Sequence, residues 1–318
     1  MLIRPALREY RTWSSNSRQW DLYVPRPSDI VIATCPKCGT TWMQQIVSSL
    51  VFQDASPRVL WQLAPWIEAR FRGSAGEMFE RLAAQTHRRF VKTHLPVDGV
   101  PIFDEVQYIH VARDGRDALM SWHNHLTGFS DVVLASLDQV GLEDRAIARP
   151  FPRAPADPAE YFRHWISTPA VIGQTDGTPE LSYFDLEAGY WAERRRANFL
   201  MVHFNDLLAD LDTEMRRIAA FLGIEVNHAV WPSLVRTADF KEMQAHGEAI
   251  TPGANRLFGE GGVRRFFNKG TNGRWRSILT DEDLALYDAK VREKFSPSLA
   301  AWLEGGRRAT GEPREAAD

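Results

Sequence analysis

The sequence predicts an α/β fold: a single domain with a central, mainly parallel β-sheet flanked by helices. Three observations carry this. Short β-branched apolar runs recur along the chain. Segments with helical apolar spacing follow them. The first run and its helix are joined by a tight loop rich in small and polar residues. With hydrophobic residues at 44% of 318 and charged ones at 25%, the chain has the make-up of a globular protein with a real core.

Taken in order, residues 1–27 are mixed in character and are expected to form an arm lying on the domain, which spans 28–304. The first buried strand is expected at residues 29–34 (DIVIAT). After the turn at 36–41, Trp42, Met43, Ile46, Val47, Leu50 and Val51 recur at helical spacing. Residues 90–94 and 106–112 read as the second and third strands, and Asp114 to Asp117 open another helix. The fourth strand is expected at 199–204. Asn205 or Asp206 is placed to cap the helix after it, and Gly223 stands where a C-terminal cap glycine belongs. Strands alternating with helices imply a parallel sheet covered on both faces, with ligands at the carboxyl ends of its strands. Residues 127–182 are rich in Pro, Asp and Gly and too long for a simple connection, which predicts a lid or acceptor-binding excursion. Residues 305–318 are small and polar, and predict a fraying tail.

The totals exclude several classes. Lys and Arg number 38 against 41 Asp and Glu, a formal charge of −3, so a nucleic-acid partner is not expected. Two cysteines, Cys35 and Cys38, make no disulfide framework. The N-terminus lacks a signal-peptide core, and no run of about 18 apolar residues exists. The expectation is a cytoplasmic protein with no membrane span, no metal and an open oligomeric state.

The sharpest local signal is Cys35-Pro36-Lys37-Cys38-Gly39-Thr40-Thr41-Trp42, between a strand and a helix. Gly39 permits a tight turn and close approach to an anion. The N–H groups at the helix start favour a phosphate. Thr40 and Thr41 add hydroxyls, and Lys37 adds a full positive charge. The nucleoside-triphosphatase pattern GxxxxGK[ST] is not met, because the lysine precedes the glycine. The spacing suits a donor activated at its 5′ end.

These residues resemble the phosphate loop PKSGTTW of the cytosolic-type sulfotransferases, with Cys38 replacing serine. Val91-Lys92-Thr93-His94-Leu95-Pro96 resembles that family's KTHLP segment. Residues 108–121 resemble its 3′-phosphate motif, with Arg113 and Ser121 in the two binding positions. Phe266-Phe267-Asn268-Lys269-Gly270 and the residues to Trp275 resemble RKGxxGDW, with Asn268 in place of arginine and Arg274 in place of aspartate. Arg264 or Arg265 stands near enough in sequence to make up for the missing arginine. Phe204 replaces a tyrosine, and Phe240 matches the family's adenine-contacting phenylalanine.

The resemblance implies a P-loop nucleotide-binding fold. It also implies transfer of a sulfuryl group from 3′-phosphoadenosine 5′-phosphosulfate (PAPS) to a small hydroxyl-bearing acceptor, leaving the bisphosphate PAP. His94 is then the general base, with Lys37 and Lys92 assisting. Lys37 to Trp42, Arg113, Ser121, Phe204, Phe240 and 266–270 hold the nucleotide. The chain's other histidines, such as His87 or His123, have no comparable setting. Aromatics at 61–71, 161–165 and 183–191 suggest an aromatic or apolar alcohol as acceptor. The rivals are a P-loop kinase, a non-catalytic PAP-binding relative, and a redox switch between Cys35 and Cys38.

Overall fold

The computed structural model describes residues 1–318 apart from 72, 168–169, 172–173, 176–181 and 260. Its strands are β1 (Leu2–Arg4), β2 (Ile30–Thr34), β3 (Phe90–Thr93), β4 (Ile102–Phe103), β5 (Gln107–Ala112), β6 (Ala170–Val171), β7 (Gln174–Thr175) and β8 (Phe199–His203). The main sheet has the order β3-β2-β5-β8. Its pairings are all parallel, with Ile32 opposite both Lys92 and Ile109 and His110 opposite Met201. All five residues of β2 are buried, as expected of a parallel strand covered on both faces. The alternation of its side chains divides the core. Ile30 and Ile32 face Met43, Ile46, Leu50, Met215 and Ile218, whereas Val31 and Ala33 join the opposite layer with Leu186, Tyr190 and Trp302.

This register brings the carboxyl ends Thr34, Thr93, Ala112 and His203 to one edge of the sheet. The residues that follow them, namely the loop at 35–41, His94, Arg113 and Phe204, are therefore neighbours although they span 170 positions of sequence.

Several expectations change. The N-terminal stretch is more than an arm, because Trp13 and Trp20 are buried in the core and β1 pairs antiparallel with β4. The tail is docked, not frayed. The carboxylate of Asp206 accepts from the backbone N–H groups of Arg307 (2.7 Å) and Arg308 (3.0 Å), and Arg194 donates to the Pro313 carbonyl at 3.0 Å. Asp206 is spent there, capping the short helix Arg307–Thr310. The helical region after β8 is broken at Asp210 into Phe204–Ala209 and Leu211–Leu222. The second piece is capped by Asp210, whose side chain accepts from the Thr213 N–H, and Gly223 ends it at φ 64°.

The excursion at 127–182 holds the helices Asp131–Glu143 and Pro158–Ser167. It is fixed to the body by Ser130, whose N–H and hydroxyl reach the carbonyls of Leu257 and Arg256, and by the Arg163–Asp283 ion pair. Residues 168–169, 172–173 and 176–181 of that expected lid lie outside the described residues. Among the described residues no helix is long and apolar enough to cross a membrane.

Candidate active site

The loop after β2 turns through two left-handed residues, Lys37 at φ 71° and Gly39 at φ 110°. A Cβ at Gly39 would also meet the Phe204 ring at 3.2 Å, so glycine is required there on both counts. Gly39 caps the helix Thr40–Phe52 with no side-chain hydrogen bond. The first-turn N–H groups lack an upstream carbonyl and stand open to an anion. Cys38 departs from the expected phosphate contact. Its side chain is fully buried, with Sγ 4.0 Å from the Pro36 carbonyl, and its N–H donates to the Cys35 carbonyl at 3.2 Å. Neither cysteine takes part in a disulfide. Thr40 is likewise turned inward, with its hydroxyl 2.6 Å from that of Thr34, while Thr41 is half-buried.

His94 follows β3. Its Nδ1 lies 2.9 Å from the Thr34 carbonyl and 3.2 Å from the Thr34 hydroxyl. A carbonyl only accepts, so Nδ1 carries the proton and Nε2 keeps a free lone pair. The backbone N–H of His94 donates to Oε1 of Glu68 at 2.7 Å, and the Thr93 hydroxyl donates to the same oxygen at 3.0 Å. The indole N–H groups of Trp66 and Trp20 complete the ring of donors around that wholly buried carboxylate. Trp66 meets the His94 ring edge-on at 4.9 Å, and Phe71 meets Trp66 at 5.5 Å. Burial, then the charge of Lys92 and that of Lys37, push the His94 imidazole down to about 3. Lys92 Nζ sits 5.4 Å from the Trp66 ring.

Lys37 Nζ lies 3.2 Å from Nδ1 of His125 and 5.4 Å from the Phe266 ring. Burial and the charge of Arg113 push its ammonium down to about 8. Arg113 is buried, reaches the Lys37 carbonyl (3.2 Å), the Thr271 carbonyl (3.0 Å) and Asn272 Oδ1 (2.9 Å), and lies 4.2 Å from the Phe204 ring. It ties the phosphate loop to the loop at 268–273. Ser121 is half-buried on the helix Gly115–Leu126, one turn before His125.

The remaining expected contacts are divided. Trp42 donates its indole N–H to the Ala238 carbonyl at 2.7 Å and packs edge-on against Phe204 at 5.2 Å. Phe240 lies against Gly270, where a Cβ would come within 2.7 Å of its ring. Phe266 lies beside Lys37, its ring 5.4 Å from the ammonium, and Phe267 is buried in the core. Asn268 is half-buried and Lys269 exposed. Arg265 does not replace the missing arginine, because it donates to the Asn124 carbonyl at 2.9 Å and to the Thr127 hydroxyl. Arg274 is close enough to Arg113 for its charge to help lower the Arg113 guanidinium.

Of the aromatic segments, 61–71 places a ring, Trp66, against the imidazole of His94. Tyr161, Tyr183, Tyr190 and Trp191 are core residues. Sequence reading missed Glu68 and His125. Glu68 leaves no local signal. His125 lies four residues after Ser121 on one helix face, a spacing that points at the same site.

Comparison with known proteins identifies the family. The family described as the sulfotransferase domain matches residues 27–298. A glycolipid sulfotransferase of Mycobacterium bovis is 32% identical over 94% of both chains. Human sulfotransferase 1C2 is 25% identical over 92% of this chain and 90% of its own. Among solved structures, a mouse sulfotransferase complexed with PAP superposes with a TM-score of 0.64 at 20% identity, covering 88% of this chain and 89% of that one. Retinol dehydratase in complex with androsterone and PAP gives 0.65 at 22%, covering 88% and 84%. The chain belongs to the sulfotransferase family.

Proposed function

We propose that the chain transfers a sulfuryl group from PAPS to the hydroxyl of a small aromatic or apolar alcohol, with His94 as general base. The observation that carries this is the orientation of His94. Its Nδ1–H is held by the Thr34 carbonyl, so the bare Nε2 is left to take a proton, next to a helix N-terminus with no side-chain cap.

In this reading His94 Nε2 accepts the hydroxyl proton as the acceptor oxygen bonds to sulfur. The bond between sulfur and the bridging oxygen breaks, and its electron pair leaves with PAP. Lys37 stabilises the charge that grows on the bridging oxygen, and Lys92 holds the sulfuryl oxygens. Most of the acceleration comes from positioning and fixed charge. A base held down to about 3 is weak. The negative charge of a bound phosphosulfate offsets the two lysines and raises its basicity. Arg113, Phe240 and the loop at 268–270 serve the 3′-phosphate and adenine side, with Arg274 as an added cation.

Trp66 and Phe71 beside His94 support an aromatic or apolar acceptor. The 32% identical glycolipid sulfotransferase favours a second reading, a sugar hydroxyl on a glycolipid. Incubation with PAPS and a panel of phenols, sterols, simple alcohols and glycolipids, read by mass spectrometry for one added sulfuryl group, decides between them. No product in any class, together with no thermal stabilisation by PAP, would overturn the proposal.

A further inference from the structure

We propose that His125 is a positioning residue for Lys37, its neutral ring accepting the lysine ammonium and holding it beside the phosphate loop until the donor arrives. An ammonium has donors only, so at 3.2 Å the Nδ1 of His125 must accept. The ring is therefore neutral, with its proton on Nε2. Burial, and the nearby charges of Lys37, Lys92 and Arg265, press this imidazole well below its ordinary range, which keeps it an acceptor at neutral pH.

The placement of that acceptor atom is built, not incidental. Trp122 stacks on the His125 ring at 5.2 Å with planes 16° apart. Phe129 and Phe258 meet it edge-on at 5.1 and 4.8 Å. Phe266 lies 6.4 Å away and also 5.4 Å from the ammonium itself. Four rings from three parts of the chain thus fix one imidazole so that one nitrogen faces one lysine.

Lys37 needs such a partner. Arg113, following β5, opposes its charge. His94 and Lys92, from the end of β3, belong to the same electrostatic cluster. Among these neighbours His125 contributes a neutral acceptor that favours the ammonium form without adding charge. The anionic oxygens of a donor are stronger acceptors than a neutral imidazole, so donor entry draws the ammonium across. The orientation also separates the two histidines. His125 aims its lone pair at a cation, whereas His94 keeps its own free.

The inference deepens the proposed donor chemistry and rests on Lys37 acting there, but it is tested without nucleotide. In the donor-free full chain, acetic anhydride labels lysines competitively across pH 6–10, and mass spectrometry follows the Lys37 peptide with exposed Lys241 as reference. Wild type is expected to titrate near pH 8. His125→Phe keeps a ring among the four aromatics and removes the acceptor. It should move the midpoint down by about one unit, the scale of a lost hydrogen bond to a charged group. His125→Asn places Oδ1 where Nδ1 was, and should restore most of the shift. If His125→Phe does not fold, His125→Leu is read the same way. An unchanged midpoint in the Phe or Leu variant overturns the proposal, as does an Asn variant that falls as far as they do. Failure of PAP to bind wild type would instead count against the donor reading alone.

Discussion

Nδ1 of His94 lies 2.9 Å from the carbonyl oxygen of Thr34, the residue at which the first central strand gives way to the phosphate loop. One backbone carbonyl thus sets the tautomer of the proposed base, and the same residue's hydroxyl reaches Thr40 at the start of the helix. Because the base is anchored to the end of the strand through this inward-facing nitrogen, His94→Ala should remove catalysis and spare nucleotide binding. Turnover should fall by about 10²–10⁴-fold, with PAP affinity by calorimetry within about threefold of wild type. Normal sulfuryl transfer by this variant would end the assignment.

The pH dependence follows from two groups whose affinity for protons is lowered by folding. His94, held down to about 3, is neutral throughout the working range. The unfolded chain takes up its proton below the ordinary value of 6.5, which the folded protein refuses. The stability contributed by His94 is thus present above 6.5 and lost as pH falls towards 3. His94→Ala should flatten the acid side of a Tm–pH curve. Lys37 is protonated below about 8, so PAP affinity should hold to that point and fall above it in wild type. A flat affinity from pH 7 to 10 would show that Lys37 does not contact the nucleotide.

Glu68 gathers the His94 N–H, the Thr93 hydroxyl and two indoles. Glu68→Ala strands these buried donors and should cost about 3 kcal/mol in denaturant unfolding. Glu68→Gln retains the shape and should cost less, while turnover still drops because the segment carrying His94 loses its anchor. Equal stability of the Ala variant and wild type would mean that water satisfies the site.

Arg113 and Arg274 are the cations proposed for the 3′-phosphate side. Arg113→Ala should weaken PAP by roughly 10–100-fold and also loosen the loop at 268–273, since it joins Lys37 to Thr271 and Asn272. Arg274→Ala should weaken it by about tenfold or less and lose that effect at high salt, as expected of a longer-range charge. If adenosine 5′-phosphosulfate, lacking the 3′-phosphate, loses as much affinity as PAPS in the Arg274 variant, the arginine does not read that phosphate.

Gly270 sits at φ 62° with its Cα against the Phe240 ring. Gly270→Ala strains the backbone and displaces the ring. It should cost about 1–2 kcal/mol and weaken PAP binding more than it changes turnover at saturating donor. The split between KM for PAPS and kcat is the measurement.

The sequence by itself determined the four strands of the main sheet, the turn at Gly39, and the four segments that make up the candidate site. Each is written locally, as an apolar run, a glycine where φ is positive, or a short motif whose residues are adjacent in the chain. The tertiary structure alone decided what depends on distant partners. It turned Cys38 inward and gave Arg265 to the Asn124 carbonyl instead of the nucleotide side. It used Asp206 to bind the tail rather than to start a helix. It also placed Glu68 under His94 and His125 against Lys37. Hydrogen bonds and buried charges act over a few ångströms of space, and positions 26 to 141 residues apart reach that range only when the folded chain brings them together.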